Sequence, residues 1–162
     1  MQKKLPIGIE NFEDMIKENY YYVDKTGLLK QLLNEHGLVN LFTRPRRFGK
    51  SLNMSMLKCF FSNKYADRGE LFEGLEIWED EKYREIQGTY PVIFMSFAGI
   101  KSHTFRDAKN DMVAIINETY KSHAYLLESD ILSEAEKNFF KKLDEYSKDI
   151  NANKNISSET IY

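Results

Sequence analysis

The run Thr43-Arg44-Pro45-Arg46-Arg47-Phe48-Gly49-Lys50-Ser51 constrains the chain more than any other feature, because it stands between an apolar stretch and a helical pattern and carries the chemistry of a phosphate-binding loop. In the general pattern G-x-x-x-x-G-K-[ST], backbone N–H groups wrap phosphate oxygens, the lysine reaches the β and γ phosphates and the hydroxyl holds Mg2+. Gly49, Lys50 and Ser51 fit that pattern, whereas Arg44 stands where the first glycine belongs. A bare Gly-Lys-Ser tripeptide is weak by itself, so its surroundings carry weight. Residues 38–43 read as a short buried strand, and residues 52–61 as a helix with Leu52, Met56, Cys59 and Phe60 on one side. Strand, loop and helix come in the order the motif needs. A helix starting near Gly49 would turn its unpaired N–H groups and positive dipole end toward an anion. The plain alternative is a basic turn that caps a helix.

Length and charge bound the remaining choices. The 162 residues suit one domain with a sizeable core. A formal net charge of −2 with 30% charged residues supplies no global attraction for nucleic acid, so any anion site must be local. Cys59 is the one cysteine; it falls inside the apolar pattern of a helix, reads as a core residue and suits a reducing cytosol. Met1 to Pro6 carry two lysines with no apolar run behind them, and no stretch approaches about 18 consecutive apolar residues. The expectation is a cytoplasmic protein, neither secreted nor membrane-spanning. His36, His103 and His123 lack both helical pair spacing and cysteine neighbours, which predicts no zinc site.

Along the chain, residues 11–18 form a short helical pattern and Tyr20-Tyr21-Tyr22-Val23 is β-prone. Asp24 is a helix N-cap for Leu28, Leu29, Leu32 and Leu33, which repeat until His36-Gly37 ends the segment. Residues 63–85 have no sustained period and read as a loop with short helical pieces. Pro91-Val92-Ile93-Phe94-Met95-Ser96-Phe97 reads as a second strand. Thr104 with Asp107 caps a long helix whose inner face is Phe105, Ala108, Met112, Ile115, Ile116 and Thr119 or Tyr120. Ser133-Glu134-Ala135-Glu136 is a capping box ahead of Phe139, Leu143, Tyr146 and Ile150. Residues 151–158 are polar and patternless, and no internal repeat is present.

Leu5-Pro6-Ile7-Gly8-Ile9, Tyr20-Tyr21-Tyr22-Val23-Asp24-Lys25-Thr26 and the stretch from Leu41 to Leu57 together resemble the bacterial AAA-ATPase-like family. Tyr90-Pro91-Val92-Ile93 and the helix after Thr104 also look like that family's segment beyond the loop. The resemblance covers essentially the whole chain, and the Arg-Pro-Arg-Arg-Phe-Gly-Lys-Ser/Thr form, Arg44 included, is usual there. It implies an α/β fold, a P-loop NTPase-like three-layer core, with ATP and Mg2+ as cofactors. It also implies that relatives continue through a strand of apolar-Asp-Glu type and often into a nuclease-like domain, neither of which this sequence contains. In such ATPases, the resemblance implies, later strands separate the loop's strand from the next one. The expected core is therefore incomplete: residues 1–150 as the N-terminal part of the ATPase domain, and 151–162 as a polar tail or truncated linker. A Mg2+-dependent hydrolase also needs an acidic group at the end of a neighbouring strand, and Phe94-Met95-Ser96-Phe97 ends in Ser and Phe.

The expected nucleotide contacts are Arg44, Pro45, Arg46, Arg47, Phe48, Gly49, Lys50, Ser51 and Leu52, with Ser51 as the Mg2+ ligand and no catalytic residue in this chain. A lysine in a helix's first turn is electrostatically awkward unless an anion is present, which favours a phosphate role for Lys50. Ser51 can serve as metal ligand, as cap, or as both, and Gly49 either admits close phosphate approach or serves a turn. Arg44, Arg46 and Arg47 could clamp a triphosphate, touch nucleic acid, or pair with acids such as Asp24 and Glu73. Asp24, Lys25 and Thr26 could meet adenine or ribose, or could simply cap a helix. The leading expectation is an ATP-binding domain without turnover of its own until an acidic strand is supplied, by the missing portion or by another chain. The rivals are a nucleic-acid-binding module built on Arg44 to Arg47, which the net acidity disfavours, and an inert truncated remnant.

Overall fold

The computed structural model describes residues 3–35 and 37–145. The chain divides into two compact units, Met1–Val92 and Ile93–Tyr162. The first holds helices α1 (Phe12–Lys17), α2 (Gly27–Glu35), α3 (Lys50–Phe61) and α4 (Glu81–Ile86), with short 3-10 turns between α3 and α4. The second holds α5 (Phe105–Lys121), a 3-10 turn at Ala124–Glu128, and α6, helical from 134 through 145. Among the described residues no helix is long and apolar enough to cross a membrane.

The core of the first unit is aromatic. Asn11 starts α1 by accepting the Glu13 N–H on its side chain, and this end is tied to α3 where Phe12 N–H donates to Ser55 Oγ at 3.0 Å. Phe12 is thereby buried beneath α3, stacked on Phe72 with ring centres 5.2 Å apart. Phe72 also meets Phe60 edge to face at 5.2 Å and stacks on Trp78 at 6.1 Å. Such pairs add about 0.5–1.5 kcal/mol each beyond the area they bury. Met56, Cys59 and Phe60 give α3 its buried face, with Leu29 of α2 and Ile77 completing the cluster.

A second fastening joins α2 to the 3-10 turn at Glu76–Trp78. Asp24 accepts from Thr26 N–H at 2.8 Å and from Thr26 Oγ–H at 2.7 Å, while its other oxygen accepts the Glu76 N–H at 2.7 Å. Thr26 is fully buried, and its Oγ accepts the Ile77 N–H at 3.1 Å. Every polar atom in this knot has a partner, as burial requires. After α3, Gly88 N–H and Tyr90 N–H donate to the last carbonyls of the helix, Phe60 O and Phe61 O. Gly88 is needed there: its φ is +71°, and a Cβ would lie 2.3 Å from Ala66 Cα.

The expected α/β three-layer core is not what the chain forms. Among the described residues there is no sheet, only the isolated bridges Lys4–Tyr20 and Ser62–Tyr90. Residues 38–43 and 91–97, read as strands, are irregular, and Leu38, Val39, Leu41, Ile93, Met95 and Phe97 are exposed. Their apolar, β-branched composition says only that they would suit a pleated, half-buried surface. A strand also needs a ladder of backbone partners, and among the described residues neither run lies in one.

In the second unit Thr104 caps α5 by accepting the Asp107 N–H at 3.1 Å, and Ser133 and Glu136 close the reciprocal box that starts α6. The inner face of α5 differs from the sequence pattern: Phe105 and Met112 are exposed and Asn117 is buried. On α6, Phe140 is buried against Tyr120 at 5.0 Å, while Phe139 is exposed. The expected positions Tyr146 and Ile150, and the tail 151–162, lie outside the described residues, as does His36.

Two stability measurements follow from this packing. Phe72→Ala should lower the unfolding free energy by about 3–5 kcal/mol in denaturant titration, the range for truncating a fully buried aromatic, whereas Phe105→Ala, 87% exposed, should change it by less than about 0.5 kcal/mol. Lys17, at 2.7 Å, and Arg68, at 2.9 Å, hold the Glu13 carboxyl below the usual carboxylate range against the opposing pull of desolvation. A carboxyl depressed in the folded state contributes stability above its unfolded pKa of about 4.3 and loses it as pH falls through the folded value. Denaturant midpoints should therefore fall in acid more steeply for the wild type than for Glu13→Gln, and the gap between them should narrow below about pH 4.

Candidate functional site: a cation-rimmed cavity beside helix α3

The loop that carries the motif ends at Gly49, which caps α3 in the left-handed conformation, φ 71° and ψ 25°. Arg47, two residues earlier, is also left-handed at φ 67°. That conformation is uncommon for a side-chain-bearing residue and is retained only where surroundings impose it. Lys50 opens the helix and turns its ammonium back over the loop, donating to Arg44 O and, at 3.3 Å, to Pro45 O. These carbonyls offset the awkward position of a cation at a helix N-terminus. Asn53 N–H donates to Gly49 O at 2.9 Å, so the first turn is closed in the ordinary way.

Beside this loop lies a cavity of about 500 Å3. Lys50, Asn53, Met54 and Leu57 recur at steps of three, one and three along α3, which sets them on a strip that adjoins the face of Met56, Cys59 and Phe60. Lys25, Leu28 and Gln31 face them from the start of α2, and Asn40, Phe42 and Arg44 close the side. The wall is apolar at Leu28, Phe42, Met54 and Leu57, and cationic at Lys25, Arg44 and Lys50. Among the described residues no acidic residue lines it, and Asn53 Oδ1 is buried without a hydrogen-bond partner among them.

The structure sorts the residues that the motif nominated. Arg44 and Lys50 line the cavity, and Pro45 contributes its carbonyl to Lys50. Arg46, Arg47 and Phe48 are exposed and lie outside the lining. Ser51 is exposed in the first turn of α3, also outside the lining, and Leu52 packs on the aromatic core. Asp24 and Thr26 are committed to the knot that holds α2, whereas Lys25 between them reaches the cavity. Beneath Lys25, burial pushes the Tyr22 phenol up to about 12, so it stays protonated, donating to Met56 S at 3.3 Å and accepting the Lys25 N–H at 3.3 Å. Gln31, Asn53, Met54 and Leu57 escaped the motif; the unused face of the α3 pattern was the signal for the last three, while Asn40 and Phe42 carry none. Among the described residues no group of three or more His, Cys, Asp or Glu is placed to hold a metal.

The family model described as a predicted AAA-ATPase, AAA-ATPase-like, matches residues 6–158. A protein of Azotobacter chroococcum mcd 1, described as an uncharacterized protein in the vnfD 5′ region, is 40% identical over 110 residues, which make up 67% of this chain and 19% of that protein. The matched segment thus spans about a fifth of that relative's length. No solved structure matches the chain.

The two bonds from the Lys50 ammonium close the loop back on itself. In Lys50→Met the backbone amides of Arg44 and of residues 46–49 should exchange with deuterium several-fold faster than in wild type, while the global unfolding free energy stays within about 0.5 kcal/mol because the site is exposed.

Proposed function

The chain belongs to the AAA-ATPase-like family, and from that premise we propose that it binds Mg2+-ATP in the cavity between α2 and α3. One observation supports this above others: Lys25, Arg44 and Lys50 converge on one rim with no carboxylate among the lining residues, above an apolar wall. A nucleotide has the matching polarity, a polyanion joined to a flat, weakly polar base, and the cavity lies within the roughly 300–1,000 Å3 usual for such ligands. Lys50 leaves the carbonyls of Arg44 and Pro45 for the terminal phosphates, exchanging two neutral acceptors for a charged one. Gly49 lets the backbone approach those oxygens, and the N–H groups that open α3 add their positive end. Leu28, Phe42, Met54 and Leu57 hold the base, and Asn53 Oδ1 accepts from it.

Mg2+ would come with the phosphates, and Ser51 would be its ligand from this chain. Ser51 follows Lys50 directly, is exposed and offers one hydroxyl oxygen, while Mg2+ commonly keeps several waters and takes its other ligands from phosphate. When bound, the ion neutralises charge on the β and γ phosphates. The residues present suit binding better than hydrolysis, because the lining holds no carboxylate to orient a water. Turnover requires that group to be brought to the site.

Thermal unfolding with and without Mg2+-ATP tests the reading. Ligand at about 100 times its Kd adds about 2.7 kcal/mol, a rise of roughly 5–10 °C for a chain of this size, and the rise should vanish in Lys50→Ala. An unshifted wild-type transition, or a shift that survives Lys50→Ala, would overturn it.

A further inference from the structure

We infer that Lys25 is a second phosphate-binding cation, set across the loop from Lys50; this rests on the nucleotide reading above and extends it to a residue outside the motif. Lys25 Nζ stands 3.8 Å from the point where a Cβ on Gly49 would lie, so it reaches the turn at which the loop becomes α3. Its backbone is fixed on both sides. Lys25 N–H donates to Tyr22 Oη, Lys25 O accepts from Leu28 N–H at 3.1 Å, and the flanking Asp24 and Thr26 are held by their bonds to each other and to residues 76 and 77. The Lys25 backbone is thereby anchored at the entry to α2.

Among the described residues its ammonium has no ion-pair partner. Both oxygens of the adjacent Asp24 are taken by Thr26 and by the Glu76 N–H, and among the described residues Lys25 has no carboxylate partner. Lys25, Arg44, Lys50 and the positive end of α3 thus collect around one cavity rim, where like charges raise each other's energy until an anion enters. Adenine or ribose would give this ammonium only neutral acceptors, whereas a phosphate oxygen next to Gly49 gives it a charged one. The position beside Gly49, where the loop becomes α3, assigns Lys25 to the phosphates.

Titration calorimetry of the full chain with Mg2+-ATP and with inorganic tripolyphosphate distinguishes these roles. Lys25→Ala should weaken both ligands by about tenfold, the scale of one charge-assisted bond, and Lys25→Arg should recover most of that loss. Raising the salt should cost the alanine variant less affinity than wild type, since one fewer ionic contact is screened. Wild-type affinity of Lys25→Ala for tripolyphosphate, with binding still lost in Lys50→Ala, would overturn the assignment of Lys25 and leave the nucleotide site standing. A loss that Lys25→Arg fails to recover would also overturn it, marking a structural effect. A wild-type chain that binds neither ligand would overturn the nucleotide reading and this inference with it.

Discussion

Helix α3 is held by one face and offers the flank beside it, and the candidate site depends on that division. Met56, Cys59 and Phe60 lock the helix into the aromatic cluster, and Ser55 receives the first N–H of α1. With its rotation fixed, Lys50, Asn53, Met54 and Leu57 fall together on the flank that lines the cavity. No sheet stands behind the helix among the described residues, so its orientation is set by side-chain packing, the bond to Ser55 and the backbone bonds that Gly88 and Tyr90 make to its last carbonyls. Phe72 carries much of that task, touching α1 through Phe12, α3 through Phe60 and the following turn through Trp78. Such a core is directional, because aromatic pairs favour stacked and edge-on arrangements over others.

The second constraint is where the acids are spent. The chain is net acidic, but several carboxylates of the first unit are paired with cations other than Lys25, Arg44 and Lys50: Glu13 with Lys17 and Arg68, Glu70 with Arg68, and Glu76 and Asp80 with Lys30. Asp24 is close in sequence to the cavity but accepts from Thr26 and from the Glu76 N–H. Where cations are left to line a cavity is thus invisible in net charge or in a count of lysines. These exposed pairs contribute little stability individually. Their larger effect is on the local field, since each acid fixed elsewhere is one that cannot neutralise Lys25 or Arg44.

What could be read from the sequence was what is locally determined. The Asn11 start of α1, the extent of α3, the Thr104 cap and the Ser133–Glu136 box rest on residues within one turn of each other, and all four are present. The strands expected at 38–43 and 91–97 needed partners from elsewhere in the chain, which no local pattern can guarantee, and they did not form. Periodicity also gave the wrong phase where the apolar face was broad: Phe139 and Phe140 are adjacent, and packing against Tyr120 selects the second. At the site, the motif pointed to Arg44 and Lys50, while the apolar wall depends on how α2 meets α3, a tertiary fact. Asp24, Lys25 and Thr26 were seen as a unit, but only their hydrogen bonds separate two structural residues from the one that reaches the cavity.

On the proposal that the loop takes a phosphate, much of the shape it would need is already in place. Arg47 and Gly49 both occupy the left-handed region, and only the glycine does so without strain. Lys50 bridges back to the carbonyls of Arg44 and Pro45, so the loop is curled around a cation of its own. An arriving phosphate competes for that ammonium with two neutral carbonyls, and a charged acceptor makes roughly twice as strong a bond as a neutral one. The carbonyls released by Lys50 lie in an exposed loop, where water satisfies them at small cost. The exchange is thus favourable in charge and inexpensive in order, because the curvature is already imposed by the left-handed residues and the start of α3. Such preorganisation lowers the conformational cost of binding, which otherwise subtracts directly from affinity.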